Sequence, residues 1–462
     1  MPLLPKPEAC RACPFYGNGK GYVPDEARPD ALVAVVGQNP GAHEEAGERL
    51  VDHRGNVKQW EACHPAPFLG DSGYDLERTY LPLAGLARDD VSLHNAIRCR
   101  VGGRNVLPPL GRTETREAIK HCQRAHFQPG DARVLIALGE YALWALTGED
   151  GGDAPPYGIS RKIGGWRGWL LPYSPFVRSR PTFFRSTGTI LGAARCVYVS
   201  LHPAGVYEAP WLKPAVLRDW QKLAELLKGT WPRPMPMIER AMTAWPDEFA
   251  YDTEFWERGG EQHLTRWSAS DGDRVWVVER EVPPPRARNG LRVVLHQADA
   301  DVDTLQDAIG PGYRLDDTMY AHAALWAELP HDLDFLGSLY ARTNRWKHLA
   351  RAAPVTYAAG DALGTWDVWQ ALKGELGRDP ATERVYRTCL LPLLPIIARA
   401  RRVGIRVAGD RARQAVLALQ RAQREQLSAG QAAAGWPIKL SSTQQLATQF
   451  FDVERLGARK AR

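Results

Sequence analysis

A multidomain α/β protein is the fold class the sequence predicts, and three observations predict it. Up to residue 201, four short apolar runs alternate with longer helical or loop stretches: Ala31 to Val36, Val91 to Leu93, Arg133 to Leu138 and Cys196 to Leu201. Continuous apolar strands of that length belong to parallel sheets covered by helices on both faces. Strand-like runs resume at Phe249 and Val293, after a stretch at about 229–247 in which four prolines forbid continuous helix or strand. From about residue 373 the pattern turns helical and rich in Ala, Arg and Gln, as in residues 409–434, and 462 residues suit about three such segments.

Composition narrows the class. With 44% hydrophobic and 24% charged residues the chain has ample core material and is no disordered segment. Lys plus Arg exceed Asp plus Glu by 59 − 53 = 6, a mild excess that permits a polyanionic partner without requiring one. No run approaches the ~18 apolar residues of a membrane span, and Met1-Pro-Leu-Leu-Pro-Lys6 lacks a signal peptide's apolar stretch, so no membrane and a cytoplasmic location are expected. Six of the seven cysteines lie before residue 200, and an odd count without a secretory signal points to a metal or cluster site rather than disulfides.

Each early strand is followed by an informative string: Gly37-Gln38-Asn39-Pro40-Gly41, then His94-Asn95, then Gly139-Glu140, then His202-Pro203. Ligands of open α/β sheets bind beyond the carboxyl ends of the strands, so Gln38, Asn39, Asn95 and His202 are expected to converge on one crevice. Residues 161–190 interleave Arg with Trp, Tyr and Phe, including Arg178 and Arg180. That is the composition of a single-strand nucleic-acid track, and equally of a hairpin packed on the core.

Taken in order, Cys10-x-x-Cys13, GQNPG at 37–41, Pro67-Phe68-Leu69-Gly70, HNAIRCR at 94–100, Cys122, VLIALGEYA at 134–142 and His202-Pro203-Ala204 resemble the iron–sulfur uracil-DNA glycosylases of family 4. The resemblance covers residues ~1–228 and implies a [4Fe–4S] cluster on Cys10, Cys13, Cys99 and Cys122, although four thiolates serve zinc equally well. It implies further that Phe68 stacks a flipped base, that the Asn95 amide pairs with the uracil edge, and that His202 hydrogen-bonds the uracil oxygen as charge develops there. Gln38 departs from the family, which carries a glutamate at this position as the water-activating carboxylate. Asn39 falls where mismatch-specific relatives position water, and Glu44 and Glu45 follow closely. Excision of uracil and recognition without excision both remain open on this departure.

In the second region, Asp252 and Glu254 are two apart on a strand and share a face of it. Tyr357 and Asp361 are four apart on a helix and share a face of that. With Asp301 after the string Val293-Val-Leu-His296-Gln297, and with Asp317-Thr-Met, these motifs resemble the DEDDy-type 3′–5′ exonuclease domain of family A DNA polymerases over residues ~245–372. That resemblance implies two Mg²⁺ or Mn²⁺ ions on Asp252, Glu254, Asp301 and Asp361, with Tyr357 orienting the attacking water. Gln297 stands where the family commonly has Asn.

Leu391 to Val407 and Leu440-Ser-Ser-Thr-Gln-Gln-Leu446 resemble the start of a family A polymerase thumb, and no fingers or palm can follow before Arg462. The reading is thus an α/β/α glycosylase-like domain at 1–230, a Pro-rich linker at 231–247, an RNase H-like exonuclease at 248–372 and a partial helical thumb at 373–462. Its expected partners are DNA, as single strands or 3′ ends, and a polymerase subunit or the remainder of a polymerase. Uracil recognition and excision, joined to 3′-end hydrolysis, is the expected function; a non-catalytic uracil-sensing or tethering module serving the nuclease is the alternative.

Overall fold

The computed structural model describes residues 4–17, 21–53, 57–101, 107–147, 165–173, 195–258, 261–282, 284–285, 289–298, 301–310, 312–439 and 441–451. Most of the Arg/aromatic stretch at 161–190, with Arg178 and Arg180, lies outside them. The protein is mixed α/β, and it divides into two compact units, Met1–Ala398 and Arg399–Arg462.

The first unit holds two main sheets. In chain order the strands are β1 (Val33–Gly37), β2 (Glu48–His53), β3 (Val57–Ala62), β4 (Val91–Asn95), β5 (Val134–Leu138), β6 (Leu170–Pro172) and β7 (Cys196–Ser200). They continue with β8 (Ile238–Glu239), β9 (Glu248–Arg258), β10 (Glu261–Ser270), β11 (Val275–Glu279), β12 (Arg292–Leu295) and β13 (Arg314–Asp317). The first sheet has the order β4-β1-β5-β7-β6, parallel except for β6. Every residue of β1, β4, β5 and β7 is buried, which explains the apolar runs of β1 and β5, while β4 buries the polar Ser92, His94 and Asn95 as well. Pairing sets Gly37 against Asn95 and Leu138 against Ser200, so the carboxyl ends of the strands finish level. A separate antiparallel hairpin, β2–β3, pairs Leu50 with Trp60; its mixed polar and apolar residues gave no strand signal.

The second sheet has the order β13-β12-β9-β10-β11-β8. Strands β9, β10 and β11 form an antiparallel meander, while β12 runs parallel to β9 and β13 parallel to β12. Phe249 and Tyr251 point into the core from one face of β9 and leave Asp252 and Glu254 to the other. Across that face lies the helix Pro354–Arg378, whose small residues make room for one ring. A Cβ on Gly360 or Gly364 would fall 2.3 Å from Trp346.

The expected linker at 231–247 is packed structure. Trp231 is 3% exposed and its indole N–H donates to the Ala341 carbonyl at 3.0 Å. Ile238 and Glu239 form β8 on the edge of the second sheet, and Met242 and Trp245 are buried. Prolines exclude regular structure locally, but they do not prevent large aromatic neighbours from finding a core. One apolar core accordingly runs from Val36 and Trp169 through Trp220 and Trp231 to Val294, Trp346 and Trp369. Its polar counterpart is the buried Arg167 guanidinium, which donates to Asp219 and to Ser338.

The second unit is built on the helix Gly409–Ala434, ended by Gly435 at φ 74°, and the helix Thr443–Phe451. The Trp436 indole donates to Gln449 at 2.7 Å and fixes the turn between them. Among the described residues no helix is long and apolar enough to cross a membrane.

Candidate functional site: a cleft and a carboxylate cluster

At the carboxyl edge of the first sheet, Gln38, Asn39, Phe68, Asn95 and His202 line one cleft of about 390 Å³. The strand ends deliver Gln38 and Asn39 from β1, Asn95 from β4 and His202 from the turn after β7. Phe68 arrives on a loop with φ at 58°, a backbone conformation unusual for a residue with a Cβ. Glu44 holds it there, accepting from the backbone N–H of both Phe68 and Gly41. Burial raises the Glu44 carboxyl, and those N–H groups oppose the rise. Gly37 is obligatory at the floor: a Cβ would stand 2.6 Å from Phe68 Cζ and 2.7 Å from Asn95 Oδ1.

The Phe68 and His202 rings face each other with centroids 6.1 Å apart and planes 24° apart. Nδ1 of His202 accepts from the Ala204 N–H at 3.2 Å, and burial pushes the imidazole down to about 4. The ring is therefore neutral near pH 7, with its proton on Nε2. Asn95 is 3% exposed, and its Nδ2 has no hydrogen-bond partner among the described residues. An unsatisfied buried amide donor beside a neutral imidazole donor is a site built for a ligand's carbonyl oxygens. Glu45, considered as a stand-in for the carboxylate missing at Gln38, is engaged elsewhere, accepting from the Gly21 N–H and pairing with Arg100 at 2.8 Å.

The four expected cluster cysteines also come together. Cys10, Cys13, Cys99 and Cys122 line one small cavity with Lys6 and Arg98. The Cys122 sulfur accepts from the Arg98 backbone N–H at 3.3 Å, and Cys10 lies 3.1 Å from His126 Nε2. Burial, followed by the neighbouring thiols, pushes Cys10 up to about 11, and burial pushes Cys99 up to about 12. Such thiols give up their protons to a strong Lewis acid, and four of them with two cations alongside fit an anionic metal–sulfur group. Cys63 and Cys196 are not in this cavity.

Residues 24–223 match the uracil DNA glycosylase superfamily. The Type-4 uracil-DNA glycosylase of Pyrobaculum aerophilum is 28% identical over 219 residues, covering 46% of this chain and 85% of that protein. Among solved structures, Brucella melitensis NrnC with bound Mg²⁺ has 20% identity, a TM-score of 0.28, and coverage of 34% of this chain and 86% of that one. The POL domain of Pol1 from M. smegmatis, in complex with DNA primer-template and dNTP, has 20% identity, a TM-score of 0.34, and coverage of 44% and 37%. The glycosylase-like half thus has sequence relatives, whereas the second half is read from its own residues.

In that second half, Asp252 and Glu254 from β9 and Asp361 from the helix Pro354–Arg378 each bring an oxygen within 4.8 Å of the others, a group that could hold a metal ion. Asp252 Oδ2 has no partner among the described residues. Burial, then Asp361, Asp301 and Glu254, holds Asp252 well above the usual carboxylate range. Burial and then Asp361 push Glu254 up to about 7. Asp301, 5% exposed at the start of the helix Val302–Ile309, accepts from the Thr253 hydroxyl and lies outside the close trio. Asp317 caps the helix Thr318–Leu325, accepting from the Tyr320 N–H at 3.0 Å, and also accepts from the Ala298 N–H at 2.6 Å, so it shapes the turn beside Asp301.

Two residues of this site were not foreseen from sequence. The Trp346 indole donates to Asp361 Oδ1 at 2.6 Å. The Lys347 ammonium lies 2.5 Å from the same oxygen and donates to the Tyr357 hydroxyl at 3.3 Å. Trp346 precedes and Lys347 opens the short 3₁₀ turn Lys347–Leu349, which is too brief to carry a periodic signal; their only mark is a Trp-Lys pair shortly before Tyr357.

Proposed function

We propose that the chain acts on DNA at two places: the glycosylase-like cleft recognises and excises uracil, and the carboxylate cluster hydrolyses DNA from the 3′ end. The observation that carries the first half is the convergence of Phe68, Asn95 and His202 on one cleft, where the buried Asn95 Nδ2 has no hydrogen-bond partner among the described residues. A uracil stacked on Phe68 would accept from Asn95 Nδ2, and His202 Nε2–H would donate to the oxygen that becomes anionic as the base departs. Gln38 cannot take a proton from water, and Glu44 has its oxygens on backbone N–H groups. Asn39 is left as the side chain that positions the attacking water. Relatives named Type-4 uracil-DNA glycosylases support the cluster cysteines as ligands of a [4Fe–4S] group, which on these partly buried thiols would brace the fold beside the cleft.

In the second half, the strand order with β9 central and the trio of carboxylates support an RNase H-like nuclease. Two divalent ions, when bound, would supply Lewis-acid stabilisation of the phosphodiester oxygens. Asp252, Glu254 and Asp361, with Asp301 beyond them, would hold the ions; Tyr357 would orient water. The second unit, with Arg411, Arg413, Arg421 and Arg424 exposed on one long helix, supports a thumb-like contact with duplex phosphates.

The deciding experiment uses an end-labelled single strand with one internal uracil, in EDTA, with an Asp252→Ala, Asp301→Ala variant so that trimming cannot erase the signal. Alkali-sensitive cleavage at uracil, lost in His202→Ala, supports excision. An intact strand that binds better with uracil than with thymine supports the second reading, favoured by Gln38, of a domain that reads uracil and leaves it in place.

A further inference from the structure

The loop before the helix Pro354–Arg378 is tied at one end to the first sheet and at the other to the carboxylates of the second. Asn344 pairs with the edge strand β6 through both its amide atoms, accepting from the Leu170 N–H at 3.2 Å and donating to the Leu170 carbonyl at 3.1 Å. Two residues on, Trp346 stands edge-to-face on Trp169, with centroids 5.9 Å apart and planes at 83°. Its ring also fills the hollow left by Gly360 and Gly364, where no Cβ would fit. A loop fixed at Asn344 and Trp346 leaves Lys347 little freedom of direction, and its ammonium lies between Asp361 Oδ1 at 2.5 Å and the Tyr357 hydroxyl at 3.3 Å.

We propose that Lys347 is a positioning residue of the carboxylate site, holding Asp361 and Tyr357 in fixed relation and setting how tightly the site binds a divalent cation. The proposal rests on the reading of this cluster as a metal-dependent 3′–5′ exonuclease. Tyr357 and Asp361 sit one helical turn apart, and one ammonium bridges them, so the hydroxyl that would orient water is referenced directly to a metal-binding carboxylate. The same ammonium sets one positive charge against the three carboxylates of Asp252, Glu254 and Asp361. Lys347 therefore has opposite effects on the two halves of the reaction cycle: it weakens cation binding by competing for Asp361, and it raises turnover by fixing Tyr357. A unit charge a few ångströms away in a partly buried site changes cation affinity by roughly tenfold. A bridge that served folding alone would move both quantities in the same direction.

The test uses the full chain and two separate readouts. Mn²⁺ binding is titrated calorimetrically without DNA, and kcat and KM are measured on a 3′-labelled oligonucleotide. Lys347→Met is expected to bind Mn²⁺ about tenfold more tightly while kcat falls at least tenfold at unchanged KM. Lys347→Arg, which restores the charge, is expected to return Mn²⁺ affinity to the wild-type value and to recover part of kcat. Unchanged or weaker Mn²⁺ binding in Lys347→Met overturns the proposal, as does an unchanged kcat, or a Lys347→Arg variant that behaves like Lys347→Met. If the wild-type chain shows no Mn²⁺ binding that Asp252→Asn removes, the metal-site reading itself fails, an outcome distinct from failure of the Lys347 argument alone.

Discussion

His202 offers the sharpest test of the cleft, because the structure specifies both its protonation state and the atom it uses. With the imidazole pushed down to about 4, about one molecule in a thousand carries a charged ring at pH 7, so the group acts as a neutral donor from Nε2. Removing one preorganised donor to a developing oxyanion costs ~100- to 1,000-fold in rate, or ~2.7–4 kcal/mol. Single-turnover excision by His202→Ala should fall by that factor. His202→Asn should keep part of the rate, because an Asn at this helix N-cap can accept from the Ala204 N–H and still present an N–H₂ group to the cleft. The assay is alkali cleavage of a uracil-containing strand in EDTA, run from pH 5 to pH 9. Between pH 5 and 8 the wild-type profile should show no His202 inflection. A His202→Ala rate within threefold of wild type would refute the donor assignment, and an inflection near pH 6.5 that vanishes in the variant would refute the neutral ring. The linked stability has the matching sign. A histidine whose folded value lies below its unfolded 6.5 favours the neutral folded protein, so stability is lost as pH falls from about 6.5 towards 4. His202→Ala should lose less stability across that window.

Other expectations are equally direct. Glu254 ionises near 4.5 when unfolded but is pushed up to about 7 when folded, so stability in EDTA declines as pH rises through that window; Glu254→Gln should raise Tm at pH 8 by ~2–4 °C, not at pH 4.5, and abolish 3′ trimming. Gly37→Ala should drive Phe68 and Asn95 apart and remove preferential uracil binding while leaving Mn²⁺-dependent trimming in place, as measured on the same oligonucleotide with and without EDTA. Protein purified without oxygen should absorb near ~400 nm and contain iron; Cys99→Ala should lose both, whereas Cys63→Ala and Cys196→Ala should keep them, and zinc in place of iron would overturn the cluster reading. Glu44→Ala should strip the backbone N–H groups of Phe68 and Gly41 of a charged acceptor at ~1.5–3 kcal/mol each, seen as weaker uracil binding with nuclease activity intact.

What could be read from sequence was whatever periodicity or strand ends control. Gln38, Asn39, Asn95 and His202 lie at or just beyond the ends of buried strands whose parallel register brings their carboxyl ends level, so three of the four short strings meet in one cleft. Asp252 with Glu254, and Tyr357 with Asp361, followed from periods of two and of four. Residues whose position depends on tertiary packing could not be read. Trp231 and Trp245 lie in a proline-rich stretch and are buried because partners elsewhere in the chain receive them. The hairpin β2–β3 lies outside both main sheets and lacks a continuous apolar run. Lys347 owes its place to Asn344 gripping β6, a contact between residues 174 apart in sequence.

That grip has a consequence for anyone who would divide the chain. The edge of one sheet and a loop of the other are joined by Asn344 and the Trp169–Trp346 pair, and deeper in by Arg167 reaching both Asp219 and Ser338. Cutting at the prolines would bare several tryptophans and take Ser338 from the buried Arg167 guanidinium, so neither fragment would inherit a finished surface. A lesion in the glycosylase-like half should therefore be felt at the carboxylate cluster through shared thermal tolerance, and the two proposed activities should fail together on heating although their chemistry has nothing in common.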